Sequence, residues 1–190
     1  MESRILLMGP VGAGKTTAIR TISDIDVIDT DVLATDEVAA IKDTTTVAMD
    51  MGVMQVDAKD RVVLYGAPGQ DRFDFMWEIL IAQCDAIILV LDHSAPDSVA
   101  QLDKYCTALT RMRIGQRPLL ICVTHVDIAQ NKPISIYNAH LHRLRSDGSL
   151  SCVPAVQQMD ARAYEDVRAV MTLLAAVLEM RQRGISQAAT

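Results

Sequence analysis

Residues Gly9-Pro10-Val11-Gly12-Ala13-Gly14-Lys15-Thr16 meet every fixed position of the pattern G-x-x-x-x-G-K-[ST]. No other stretch restricts the fold so tightly, because the pattern works only as a glycine loop between a strand and a helix. Both neighbours are in place. Arg4–Met8 is an apolar run of strand length, and Thr17–Ile22 continues as a helix. Glycines let successive backbone N–H groups turn inward around an anion. The helix N-terminus adds unpaired donors and partial positive charge. The loop is therefore predicted to hold a phosphate chain, with the Lys15 ammonium at its outer phosphates and the Thr16 hydroxyl on Mg²⁺.

The 190 residues suffice for one domain with a full core, and half of them are hydrophobic, which argues against global disorder. A net charge of −6 makes nucleic acid or an anionic membrane a poor default partner. Cys84, Cys106, Cys122 and Cys152 are scattered, without a C-x-x-C pair, so free thiols in a cytoplasmic protein are expected rather than zinc or disulfides. No apolar run reaches membrane-spanning length. Met1-Glu2-Ser3 leads straight into the first strand, and neither common lipidation signal is present, so no leader peptide and no membrane anchor is expected.

Apolar runs alternate with helical stretches. Strands are predicted over Arg4–Met8, Thr46–Val56, Arg61–Gly66, Ala86–Asp92, Leu119–Thr124 and Cys152–Val156. Helices are predicted over Lys15–Ile22, Arg72–Gln83, Asp97–Met112, Ile134–Arg145 and Arg162–Arg183, the last capped by Asp160 and ended by Gly184. Near-continuous Val/Ile/Leu runs point to strands buried on both faces of a parallel sheet. Only Asp57-Ala58-Lys59-Asp60 separates the second and third strands, so those two form an antiparallel hairpin. The expected architecture is α/β: a three-layer sandwich whose six-stranded, mainly parallel sheet has one antiparallel edge strand, in a single domain over 1–190. The Asp- and Thr-rich stretch from Ser23 to Thr46 reads as a long connection, a form that usually carries function near a ligand site.

A second informative stretch, Tyr65-Gly66-Ala67-Pro68-Gly69-Gln70-Asp71-Arg72-Phe73, follows the third strand. Gly69-Gln70-Asp71-Arg72-Phe73 resembles the second switch of Ras-like small GTPases, commonly D-x-x-G-Q-E-R-F. The likeness runs through nearly the whole chain in the same order. With Pro68 before Gly69-Gln70, the chain is most similar to bacterial small GTPases of the gliding-motility polarity and conservon types. That resemblance implies a P-loop G domain that binds GTP and GDP with Mg²⁺. It implies nucleotide contacts from Gly9, Val11, Gly12, Ala13, Gly14, Lys15, Thr16 and Thr17. Gly69 N–H would touch the γ-phosphate, Gln70 would serve catalysis by orienting the attacking water, and Lys15 would serve it at the β- and γ-phosphates. Thr46 would ligate the metal beside Thr16, with Thr45 as the alternative. Loss of the γ-phosphate would release both segments.

The chain departs from the family pattern at three places. Gly66 stands where the D-x-x-G aspartate holds a metal-bound water, so metal affinity is weaker or comes from another group. Val11 crowds the space of a catalytic glutamine or incoming arginine. Thr44 and Thr45, not an arginine, precede Thr46. Slow unaided hydrolysis and a dependence on a partner follow as expectations.

Thr124-His125-Val126-Asp127 corresponds to the family's base-reading N-K-x-D. Asp127 would accept from guanine N1 and N2, a pair of donors that adenine lacks. A turn or cap role for Asp127 is the plainer alternative. Asp160-Ala161-Arg162 resembles the looser S-A-K motif, whose central N–H approaches the base. Phe73, Phe75 and Trp77 on the switch helix serve either the core or a partner surface. The resemblance further implies a GTP-dependent effector, an activating or exchange protein, and a roadblock-like companion. A hydrolysis-deficient scaffold is a second reading. A P-loop small-molecule kinase is a third, although no arginine cluster marks a kinase lid.

Overall fold

Period-two burial organises the central strands of the protein, seen in a computed structural model that describes residues 2–29, 49–57, 60–70, 74–112, 114 and 117–188. The strands are β1 (Glu2–Met8), β2 (Ile28–Asp29), β3 (Asp50–Gln55), β4 (Arg61–Gly66), β5 (Ala86–Asp92), β6 (Leu119–Thr124) and β7 (Ala155–Gln158). The helices are α1 (Lys15–Ile22), α2 (Asp74–Gln83), α3 (Ser98–Arg111), α4 (Ser135–Ser146) and α5 (Tyr164–Ala188). Among the described residues the sheet runs β2-β3-β4-β1-β5-β6-β7. β4, β1, β5, β6 and β7 are mutually parallel, and β3 is antiparallel to β4.

Odd and even positions of one strand bury against different helices. Ile5 and Leu7 share one face with Ile88, Val90 and Cys122, under Ile19 of α1 and Val167, Met171 and Leu174 of α5. Leu6 and Met8 share the other with Ile87, Leu89 and Val123, under Trp77 of α2, Leu102 and Tyr105 of α3 and Leu141 of α4. Each fully buried Leu or Ile contributes about 1.5–3 kcal/mol, and both faces of the central strands are filled. The expected three-layer α/β sandwich is the observed one.

Four details differ from the sequence reading. The antiparallel strand β3 is not outermost, because the two-residue β2 pairs along its far side, Ile28 opposite Met51. β7 begins at Ala155 rather than Cys152, since Pro154 has no N–H to give a ladder. Asp160 does not cap α5: its carboxylate accepts from the Arg162 N–H in the turn before the helix. Gly184 does not end α5, which continues to Ala188; a helical glycine costs about 1 kcal/mol but does not stop a helix as proline does. Thr46 lies outside the described residues, as does Phe73.

Because the five parallel strands point one way, the loops after β1, β4, β5, β6 and β7 meet at one edge of the sheet. β1 sits between β4 and β5, so the chain changes direction of winding at β1. Open α/β sheets bind ligands in the crevice at such a point. Among the described residues no helix is long and apolar enough to cross a membrane.

Candidate functional site

The loop after β1 has left-handed or similar backbone at Gly9, Gly12 and Gly14, with φ of 139°, 82° and 96°. Lys15, the first residue of α1, turns back over it and donates from Nζ to the carbonyls of Gly9 at 2.8 Å and Pro10 at 2.7 Å. Burial lowers its ammonium pKa to about 8, and the nearby Asp50 carboxylate opposes that shift. An ammonium held against two carbonyls inside an anion cradle is poised to exchange them for phosphate oxygens.

Asp50 is a site residue that the motif reading missed. The Thr16 hydroxyl donates to the Asp50 carboxylate at the start of β3. Asp50 pairs across the hairpin with Gly66, the position where the family pattern has its aspartate. A side chain at Gly66 would begin 3.1 Å from Asp50 Oδ2 and 3.0 Å from Ile19 Cδ1. The carboxylate missing from β4 is thus replaced from the neighbouring strand, and glycine opposite makes the room. A hydroxyl beside a carboxylate is an all-oxygen donor set that suits Mg²⁺. Among the described residues no three His, Cys, Asp or Glu side chains cluster as a self-sufficient metal site. A metal here would take its remaining ligands from phosphate and water, as Mg²⁺ commonly does.

Gly69 closes the phosphate side. A Cβ there would stand 2.6 Å from Val11 N and 2.7 Å from the Pro10 carbonyl carbon, so only glycine allows this contact. The exposed Gln70 follows directly, and Val11, whose N–H faces Gly69, is 68% exposed. Trp77 of α2 anchors the segment. Its indole N–H donates to the Pro68 carbonyl at 3.3 Å, and its ring stacks on Tyr105 at 5.0 Å. Trp77 is 1% exposed, so it packs in the core.

On the base side, the buried Thr124 hydroxyl lies 2.9 Å from the Ala13 carbonyl and 3.1 Å from that of Leu91. It joins the end of β6 to the phosphate loop. His125 has φ 55° and pairs through Nδ1 with Asp92 Oδ1 at 3.2 Å. Burial would raise the Asp92 pKa, but the Ser94 hydroxyl and N–H, with His125, hold it below its ordinary value. Thr21 of α1 donates to the Ala161 carbonyl at 2.8 Å. Asp127 and Asp160 meet through Arg162, whose Nη2 reaches Asp127 Oδ2 at 3.0 Å and Asp160 Oδ2 at 2.8 Å.

A closed hydrogen-bond ring supports this side. His93 Nε2 faces the Lys132 carbonyl at 2.8 Å and carries a proton there, and Nδ1 lies 2.9 Å from the Tyr137 hydroxyl. The Tyr137 hydroxyl also donates to the Ser98 hydroxyl, 3.0 Å away. Ser98 in turn accepts from Lys132 Nζ. The ring starts and ends on Lys132 and ties the loop after β5 to the loop after β6.

The crevice therefore brings together Gly9 to Thr17, Gly69, Gln70, Thr124, His125, Asp127, Asp160, Ala161 and Arg162. Thr46 and Thr45 lie outside the described residues. Asp50, Asp92 and Thr21 join the set.

A family model described as "conserved hypothetical ATP binding protein" matches residues 23–183. The chain belongs to this family. The family match begins beyond the glycine loop and takes in β3 to α5, including Asp50, Gly69 and Asp127. No curated protein matches the chain. Among solved structures, it is similar to the Arl6 BBS3 small GTPase from Trypanosoma brucei with a bound nucleotide analogue, GppNp. That likeness has a TM-score of 0.69 and 16% identity over 95% of this chain and 99% of the other. It is also similar to the G domain of the T. maritima FeoB iron transporter, with a TM-score of 0.63 and 16% identity over 93% and 98%. At that identity the likeness establishes the fold: this member of the ATP binding protein family has the G-domain architecture.

Proposed function

We propose that the protein is a GTP-binding molecular switch that cycles between GTP and GDP states, with slow hydrolysis that a partner accelerates. The convergence of Asp50 and Gly69 on one phosphate loop carries the reading. Asp50 opens β3 and Gly69 lies in the loop after β4, and each touches the loop where a terminal phosphate would lie. A site that only anchored phosphate would need neither.

In this reading the loop amides and Lys15 hold the phosphate chain, with Lys15 leaving the Gly9 and Pro10 carbonyls to do so. Thr16 and Asp50, with Thr46, would hold Mg²⁺, which neutralises phosphate charge when bound. Gly69 N–H meets the γ-phosphate, and Gln70 orients the attacking water. Asp127 and the Ala161 N–H read guanine. When the γ-phosphate leaves, Gly69 loses its partner, and the 67–70 segment relaxes with Trp77 attached. Two features keep unaided turnover slow. Val11 is exposed on the loop against which Gly69 packs, and the sequence supplies no arginine between Arg20 and Arg61. A supplied arginine is worth about 10³–10⁵ in rate, which leaves room for an activating protein. A GTP-dependent effector and a roadblock-like companion complete the proposed cycle in the cytoplasm.

The family description favours a second reading, an adenine-nucleotide protein on the same loop. Calorimetric titration with GDP, GTP, ADP and ATP in magnesium separates the two. Guanine preference of tenfold or more, with GTP turnover, supports the switch. ATP preference overturns it. Tight GTP binding without turnover leaves a scaffold rather than a switch.

A further inference from the structure

Two carboxylates stand at the base side of the crevice, and a single cation joins them. Arg162 forks onto Asp160, Nε to Oδ1 at 2.9 Å and Nη2 to Oδ2 at 2.8 Å. The same Nη2 reaches Asp127 Oδ2 at 3.0 Å. The fork is itself fixed. The Arg162 N–H also donates to Asp160 Oδ1 at 2.9 Å, and the Asp160 N–H donates to Asp166 Oδ2 at 3.0 Å. Asp160 is thereby seated on the first turn of α5 and cannot swing away without breaking several bonds at once. The Arg162 hydrogen bonds, helped by His125, hold the Asp160 carboxyl at about 2, so it stays charged beside Asp127.

Carboxylate geometry decides what this arrangement leaves open. An ionised carboxylate has about four lone-pair sites. Arg162 occupies one, on Oδ2 of Asp127. Oδ1 and the second site of Oδ2 remain for a pair of parallel donors, the pattern that guanine shows at its ring N–H and 2-amino group. Adenine shows an acceptor at the ring position and would set a lone pair against the carboxylate. Without the arginine, Asp127 and Asp160 would repel each other, and Asp127 would turn to solvent, since among the described residues Arg162 is the side chain that holds its carboxylate.

We propose that Arg162 is the specificity-positioning residue of the base pocket: it clamps Asp127 to Asp160 so that Asp127 presents two acceptors to the donor edge of guanine. This rests on the nucleotide reading above and assigns Arg162, rather than Asp127 alone, the setting of base selectivity. Asp160 is the clamp's fixed jaw.

The test compares GDP with inosine diphosphate, which lacks only the 2-amino group. Dissociation constants are measured by calorimetry in magnesium at one ionic strength, for wild type, Arg162→Met, Arg162→Lys and Asp160→Asn. A hydrogen bond to a charged group is worth about tenfold or more in affinity, so wild type should prefer GDP by about that factor. The ratio should fall towards one in Arg162→Met. Arg162→Lys, which keeps the charge but not the fork, should retain part of it. Asp160→Asn should lower the ratio less than Arg162→Met, because the repulsion goes with the anchor. A role in folding alone would weaken both nucleotides equally. An unchanged ratio in Arg162→Met, or tighter GDP binding, overturns the proposal and makes the arginine a bystander or a competitor for Asp127. Failure of wild type to bind either nucleotide overturns the nucleotide reading itself.

Discussion

The Thr16 hydroxyl donates to the Asp50 carboxylate, joining the last residue of the phosphate loop to a strand that is antiparallel to the rest of the site. The two positions share one role between them. Asp50 supplies the carboxylate, and Gly66 opposite supplies the space for it. Replacing Asp50 by Ala should abolish any magnesium dependence of nucleotide affinity, while the fold, measured by circular dichroism, persists. Gly66→Asp in the native background should lower stability, because a second carboxylate would enter within van der Waals reach of the first. The double variant Asp50→Ala/Gly66→Asp should recover part of the magnesium dependence. Full magnesium dependence in Asp50→Ala alone would remove Asp50 from the metal site.

Lys15 gives a pH signature. Burial holds its ligand-free pKa at about 8, below the ordinary 10.5. Between those values the unfolded chain binds more protons than the native one, so ligand-free stability should rise with pH across that window. Phosphate reverses the preference by holding the ammonium charged. Nucleotide binding should therefore take up a proton above about pH 8, and affinity should fall as pH rises past it. Calorimetry in buffers of different ionisation enthalpy reads that uptake directly. Lys15→Ala should bind no nucleotide at concentrations that saturate wild type, and retention of normal binding would take the loop out of the site.

Trp77 is the sole tryptophan in the chain and is tied to Pro68, next to Gly69. Movement of the 67–70 segment must lengthen or break that bond or shift the ring against Tyr105. Tryptophan emission should differ between the complexes with GDP and with a non-hydrolysable GTP analogue. Superimposable spectra would mean that this segment does not respond to the γ-phosphate.

In the ring through His93, Tyr137, Ser98 and Lys132, the first three side chains are buried and bonded to one another. Tyr137→Phe removes one hydroxyl but takes a partner from two buried groups, His93 Nδ1 and the Ser98 hydroxyl. The expected loss is about 1–3 kcal/mol, the penalty for buried polar groups left without a partner, read from urea denaturation. A neutral outcome would mean that water fills the gap.

The sequence showed some of this plainly and hid the rest for physical reasons. β4, β5 and β6 were legible to the residue because both faces are buried, and a continuous apolar run has sharp ends. The loop motif was legible because its chemistry lies within eight consecutive residues. Asp50 was not, because its partner is sixteen residues away and a strand must be paired before the two can be seen as neighbours. The short link at 57–60 carried that information: with Gln55 opposite Arg61, counting back along both strands sets Asp50 opposite Gly66. β2 is two residues long and has no periodicity to detect. The Arg162 fork joins segments 35 residues apart and depends on β6 and β7 lying side by side.

Thr124 fastens the base loop to Ala13, and Thr21 fastens α1 to Ala161. The base half of the crevice is therefore an abutment, braced on β6 and α1 and backed by core. The β3 and β4 half is tied to the end of α1 through Ser23 and Asp24, and reaches the loop through Asp50 and Gly69. In the proposed switch, a terminal phosphate would be felt first on that flank, where Asp50 and Gly69 meet the loop. In the proposed cycle, a partner that senses the occupant from outside would read it at that flank.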